Sequence, residues 1–191
     1  MSLILASSSP YRRQLLEKIN LVVDVIAPNI DERVRPGESP SDLARRLSES
    51  KALAVAKQAD GIIIASDQVA CVNDVLLGKP STASKAIEQL TLCSGQTVTF
   101  YTGLCLYNTE TQTMQVTVVP FHVTFRTLSE QEIRNYIALE SPLDCAGSFK
   151  SEGLGITLFE CMQGNDPNAL IGLPLIELCR MLRQEGINPL D

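Results

Sequence analysis

The chain has one histidine, no tryptophan and no C-x-x-C pair, and each scarcity removes a class of chemistry. Six widely scattered cysteines, Cys71, Cys93, Cys105, Cys145, Cys161 and Cys179, cannot build a structural zinc site with a single histidine, which leaves them as small core residues that cytosolic redox conditions keep reduced. His122 alternates with Phe121, Val123 and Phe125 along a strand and takes a structural role, and no G-x-S-x-G surrounds any serine. Histidine-dependent triads are therefore disfavoured, and carboxylate-and-metal chemistry is better supplied. No apolar run approaches the roughly 20 residues that span a bilayer, and residues 3 to 6 are too short for a signal-peptide core, so a cytoplasmic location with no membrane partner is expected.

Positive charge is also in short supply. The net charge is −6, which disfavours non-specific nucleic-acid binding, so an anionic ligand must be caught by a local cluster. Repeats, low-complexity tracts and inter-domain linkers are absent, and 45% apolar against 20% charged residues describes a chain that folds. One domain over residues 1–191 is expected.

The early chain alternates strands and helices. Residues 2 to 6 read as a buried strand, followed by Ser9 as N-cap, Pro10 at the first helical position and an apolar stripe of Leu15, Leu16 and Ile19. A second strand is expected at 21–27, a polar loop at 28–40 and a helix from about Ser41 to Lys57. "GIIIASDQ" is the β-branched run of a covered central strand, expected to end on Asp67 and Gln68. A short hairpin at 69–77, a helix from Thr82 to Cys93 stopped by Gly95, a large hairpin over 97–126 and a helix at 129–139 opened by a Ser129–Glu132 capping box follow. After a loop-like stretch, a last helix runs from Pro174 to Glu185. The class is α/β with a mixed sheet.

Arg12 and Arg13 stand in the first turn of a helix, where positive charge opposes the macrodipole. Together with the free N–H groups after "ASSSP" they form a phosphate cradle, or else they are simply solvated. Lys51 continues the stripe of Leu43, Leu47 and Val55, either snorkelling or turned inward. Lys79, in "GKP", lies outside any Walker-type P-loop. Asp67 closes the isoleucine-rich strand, where open α/β sheets put ligand crevices and where a catalytic base or a turn-forming carboxylate belongs. Asp31 and Glu32 form an acidic loop pair, solvated or supplying oxygen ligands to a divalent ion.

The ordered set "LILASSSPYRRQLL", "DE", "SDQ", "GKP", "TFYTGL", "CAGSFKSEGLG" and "GLPL" resembles the Maf family of nucleotide pyrophosphatases over nearly the whole chain. Within it the chain is most similar to the YceF-type branch, which hydrolyses 7-methyl-GTP. The resemblance implies a mixed, strongly twisted sheet with flanking helices and a central cleft, like inosine-triphosphate pyrophosphatases, together with a homodimer and a divalent cation, magnesium, manganese or cobalt. It implies Asp67 as general base, Ser7, Ser8, Arg12, Arg13, Lys51 and Lys79 around the triphosphate, and Glu32 with Asp67 near the metal. Tyr11, Gln68 and Glu152 become the base-specificity positions, Tyr11 stacking on the cationic methylguanine ring and Glu152 accepting from its N1–H and amino group. Tryptophan is the commoner aromatic at the Tyr11 position in this branch. A dTTP/UTP pyrophosphatase and a non-catalytic nucleotide sensor linked to septum formation are the alternatives.

Overall fold

The computed structural model describes residues 2–191. In chain order the elements are β1 (Leu3–Ala6), α1 (Pro10–Lys18), β2 (Asp24–Val25), α2 (Pro40–Val55), β3 (Ile62–Val72), β4 (Val75–Leu77), α3 (Ala83–Cys93), β5 (Thr97–Asn108), β6 (Thr113–Phe125), α4 (Glu130–Glu140), β7 (Phe159–Gln163), α5 (Pro167–Ile171) and α6 (Leu175–Gln184). Short 3-10 turns occupy Ala146–Ser148 and Leu154–Leu158. Seven strands form one sheet in the order β2-β1-β3-β5-β6-β7, with β4 paired to β3. Pairing is parallel for β1 with β2 and β3, and antiparallel for β3–β4 and β6–β7, so the sheet is mixed as expected.

The helices begin where the sequence marks them. Ser9, Ser39, Thr82 and Ser129 each cap a helix by accepting a backbone N–H, and Pro10 and Pro40 follow two of these caps. The capping box of Ser129 and Glu132 is formed. Gly95, at φ +69°, takes the left-handed conformation just after α3.

The chain divides into two compact units, one of residues 1–67, 102–119 and 166–191, the other of 68–101 and 120–165. In the first, strand alternation sends side chains to two buried faces. Leu5, Ile62 and Ile64 pack with Leu15 and Leu16 of α1 and Leu178, Met181 and Leu182 of α6. Ile4, Ala6, Ile63 and Ala65 pack with Ala52 and Val55 of α2 and with Cys105. A strand covered on both faces explains the uninterrupted apolar run. In the second unit, Phe100, Phe125, Phe149 and Phe159 form an edge-to-face cluster with ring centroids 4.9–5.5 Å apart.

Three expectations are corrected. The strand expected at 21–27 shrinks to Asp24–Val25, both exposed. The strand carrying Asp67 continues to Val72 because β4 pairs with its second half, Ala70 opposite Leu77 and Val72 opposite Val75. Asp67 is thus in mid-strand, two residues past the last parallel pair, Ala6 with Ala65. The five-residue helix α5 lies in the segment 164–172 read as loop, too short for helical periodicity, and the exposed strand β7 lies in a stretch the sequence leaves unassigned, lacking a buried alternating face. Among the described residues no helix is long and apolar enough to cross a membrane.

Gly103 lets β5 approach α2 closely, since a Cβ there would lie 2.3 Å from the Ala44 carbonyl oxygen. Gly103→Ala is expected to lower unfolding free energy by about 1–3 kcal/mol. Chemical denaturation checks this, and a midpoint equal to the parent's would contradict the close approach.

Candidate active site

Helix α2 buries Leu43, Leu47, Lys51 and Val55 along one face, so the lysine enters the protein on an apolar stripe. Its ammonium ends between two carboxylates, donating to Asp67 Oδ1 at 2.5 Å and pairing with Glu32 Oε1 at 2.9 Å. The Lys51 and Asp67 side chains are 9% and 11% exposed, whereas that of Glu32 is 59% exposed. Two buried ends and one open end give a charge cluster reachable from solvent on the Glu32 side.

Arg12 joins this cluster electrostatically. Burial lowers the pKa of its guanidinium, and the nearby charges of Asp67 and Glu32 act in the opposite direction. Its Nε donates to the Gly172 carbonyl at 2.7 Å and a terminal nitrogen donates to Ser7 Oγ at 3.2 Å. Ser7 Oγ also accepts the Ser9 N–H at 3.1 Å, and Ser9 Oγ accepts the Arg12 N–H at 3.4 Å. The first turn of α1 contains no acidic residue, so its backbone donors and Arg12 present positive potential together.

Arg13 departs from the sequence grouping. Successive helical residues do not share a face, and Arg13 turns to the surface, where it pairs with Glu17 at 2.9 Å. Ser8 is exposed and Tyr11 half-buried. In the second unit, Gln68 is half-buried on β3, Lys79 is exposed in the loop after β4, and Glu152 is exposed in the turn before the second 3-10 segment.

The acidic loop pair also separates. Asp31 accepts from the backbone N–H and guanidinium of Arg33, whose hydrogen bonds hold its carboxyl well below the usual range. Glu32 is left to reach Lys51. Glu32 and Asp67 supply hard oxygen donors from two directions, a set that fits a magnesium-like ion completing its shell with water and phosphate oxygens. Among the described residues no group of three or more His, Cys, Asp or Glu side chains could hold a metal, so the chain offers no cage of its own.

Several residues essential to this geometry are silent in sequence. Arg46, one helical turn and a half before Lys51, grips Glu38 with both ends of its fork, at 2.5 and 2.9 Å, and donates to the Arg33 carbonyl at 3.0 Å. The loop bearing Glu32 is thereby fastened to α2. Ser66 Oγ lies 2.7 Å from the Gly103 carbonyl and 2.9 Å from that of Gly172, the oxygen that also receives Arg12. Arg46 reads as surface charge beside Arg45, and the "GLPL" stretch gives the only hint of Gly172. His122 bonds Thr99 Oγ1 through Nδ1 at 3.0 Å, consistent with a structural role. No disulfide joins any of the six cysteines among the described residues, and burial pushes the Cys93 and Cys105 thiols up to about 12, which makes them poor nucleophiles.

Comparison with known proteins identifies the relatives of the chain. Residues 2–185 match the family described as Maf-like protein. A 7-methyl-GTP pyrophosphatase of Idiomarina loihiensis is 54% identical over 194 residues, covering 100% of this chain and 98% of the relative. One from Nitrosococcus oceani is 53% identical over 186 residues, covering 97% and 94%. Among solved structures, a Staphylococcus aureus Ham1 protein superposes with a TM-score of 0.48 at 16% identity, over 66% of this chain and 73% of the other. A dITP/XTP pyrophosphatase from Mycobacterium abscessus gives 0.45 at 17% identity, over 67% and 76%.

The Arg46 fork holds the Glu38 carboxyl down to about 2, from an ordinary 4.5. A depressed carboxylate pKa stabilises the fold above the unfolded value, and that contribution is lost as pH falls through the folded one. The melting-temperature gap between the parent and Arg46→Ala should stay constant above about pH 5 and close as pH approaches about 2. Scanning calorimetry across that window checks it; a gap that widens with acid would contradict the clamp.

Proposed function

The chain belongs to the Maf-like family, and from that premise we propose that it is a pyrophosphatase that cleaves the α–β phosphoanhydride of 7-methyl-GTP, releasing 7-methyl-GMP and pyrophosphate. The observation that carries the reading is the meeting of Asp67 and Glu32 on Lys51, with Arg12 in electrostatic reach beside the open end of α1. Full-length identity above half to proteins of that name supports the substrate.

In the proposed mechanism, Asp67 accepts a proton from the water that attacks the α-phosphorus. Lys51 holds the Asp67 carboxylate in one orientation by its hydrogen bond to Oδ1. Arg12 and the N–H groups at the start of α1 bind phosphate oxygens and offset the charge that develops on the departing pyrophosphate. Ser7 fixes the Arg12 fork, Ser8 and Lys79 are further polar and cationic contacts for the triphosphate, and Arg13 would have to leave its surface pair with Glu17 to join them. A divalent cation held by Glu32 and Asp67 supplies Lewis acidity and further charge neutralisation when bound. Tyr11, Gln68 and Glu152 select the base, the carboxylate accepting from guanine N1–H and its amino group.

A homodimer in the cytoplasm completes the proposal. It is supported by the family resemblance and, for the compartment, by six cysteines without a disulfide.

Purified protein incubated with magnesium or manganese and a panel of 7-methyl-GTP, GTP, UTP and dTTP tests the function. Preferential turnover of 7-methyl-GTP with release of pyrophosphate is expected. Orthophosphate as first product would move the cleaved bond, and equal turnover of UTP and dTTP would move the substrate class. Asp67→Asn should lower kcat by about 10²–10⁴-fold while nucleotide still binds by calorimetry. Unchanged turnover in that variant would remove Asp67 from the chemistry, whereas nucleotide binding with no turnover by the parent would favour a sensor.

A further inference from the structure

The turn that presents Glu152 is closed on itself and then fixed from outside. The Lys150 carbonyl accepts the N–H groups of Gly153 and Gly155 at 3.2 and 3.1 Å. Two side chains of α4 hold the closed turn. Tyr136, buried, accepts the Lys150 N–H on its hydroxyl at 3.0 Å. Glu140 accepts the Leu154 N–H on Oε2 at 2.8 Å, and its backbone carbonyl accepts from Lys150 Nζ at 3.3 Å. Its side chain is 18% exposed, so the carboxylate is packed on the turn more than it is solvated.

Gly153 makes that packing possible. A Cβ there would lie 2.7 and 2.9 Å from the two Glu140 carboxylate oxygens. Glu152 stands between the two fixed points, Lys150 on one side and Leu154 on the other, with its own side chain exposed and Ser151 Oγ donating to it at 3.3 Å. Its backbone is anchored and its carboxylate is outward.

We infer that Glu140, aided by Tyr136, is a positioning residue for guanine selection, acting through the placement of Glu152. The inference rests on the reading that Glu152 reads the base. Guanine offers two adjacent donors, N1–H and the exocyclic amine, and a carboxylate matches them only with both oxygens in the base plane. Uracil carries one N–H between two carbonyls and gains nothing from that match. A loosened turn therefore costs 7-methyl-GTP more than UTP. A purely structural role of Glu140 would lower both alike.

The test compares kcat/KM for 7-methyl-GTP and UTP, by pyrophosphate release, in Glu140→Ala, Glu140→Gln, Tyr136→Phe, Glu152→Gln and the Glu140→Ala/Glu152→Gln double variant, with melting temperatures for each. Glu140→Ala should lower the 7-methyl-GTP to UTP ratio by about tenfold or more, as Glu152→Gln does. Glu140→Gln, which keeps an oxygen for the Leu154 N–H, should rescue most of the ratio, and the double variant should fall no further than Glu152→Gln alone. Should Glu140→Ala fail to fold, a reduced ratio in Tyr136→Phe is the supporting result and a parental ratio there the contrary one. A parental ratio in Glu140→Ala beside a reduced one in Glu152→Gln, or an equal loss for both nucleotides, overturns the role of Glu140 and leaves the base reading standing. A parental ratio in Glu152→Gln removes the base reading and this inference with it.

Discussion

An ammonium group buried at the end of an apolar stripe is tolerable only if carboxylates meet it, and Lys51 is met by two. Removing one partner of a buried ion pair typically costs about 3–5 kcal/mol, because the remaining charge keeps its desolvation penalty. Around Lys51 that constraint ties three segments together: α2, which supplies the lysine, β3, which supplies Asp67, and the 28–39 loop, which supplies Glu32. The same contact orients a candidate base and draws an otherwise solvated acid toward it. Stability and chemistry share one interaction.

Much of this was legible in the sequence. Local rules located α1, α2, α3 and α4, because each begins with a hydroxyl cap and three or more apolar positions at helical spacing. The buried run of β3 declared itself by composition. Where it stops did not, since the hairpin expected at 69–77 reads as a separate unit, whereas its first strand is the unbroken continuation of β3. β7 is silent for a related reason, since its exposed residues carry no strand pattern of their own until β6 is beside them.

The candidate site divides along similar lines. Residue type and motif order singled out Arg12, Lys51, Asp67 and Glu32, which the fold brings together. Arg13 shares the motif but not the face, a distinction that one turn of helix geometry already contains. Arg46, Glu38, Ser66 and Gly172 went unnoticed because they work through backbone carbonyls and loop closure, which depend on where distant segments arrive. Carbonyl oxygens carry no residue type to read.

The Gly172 carbonyl and the Ser7 hydroxyl tether the Arg12 guanidinium at two of its three nitrogens before any anion arrives. A long side chain usually surrenders rotameric freedom at the moment it grips a ligand. Here that entropy has already been given up during folding, so the guanidinium is a stiff fork before any ligand reaches it.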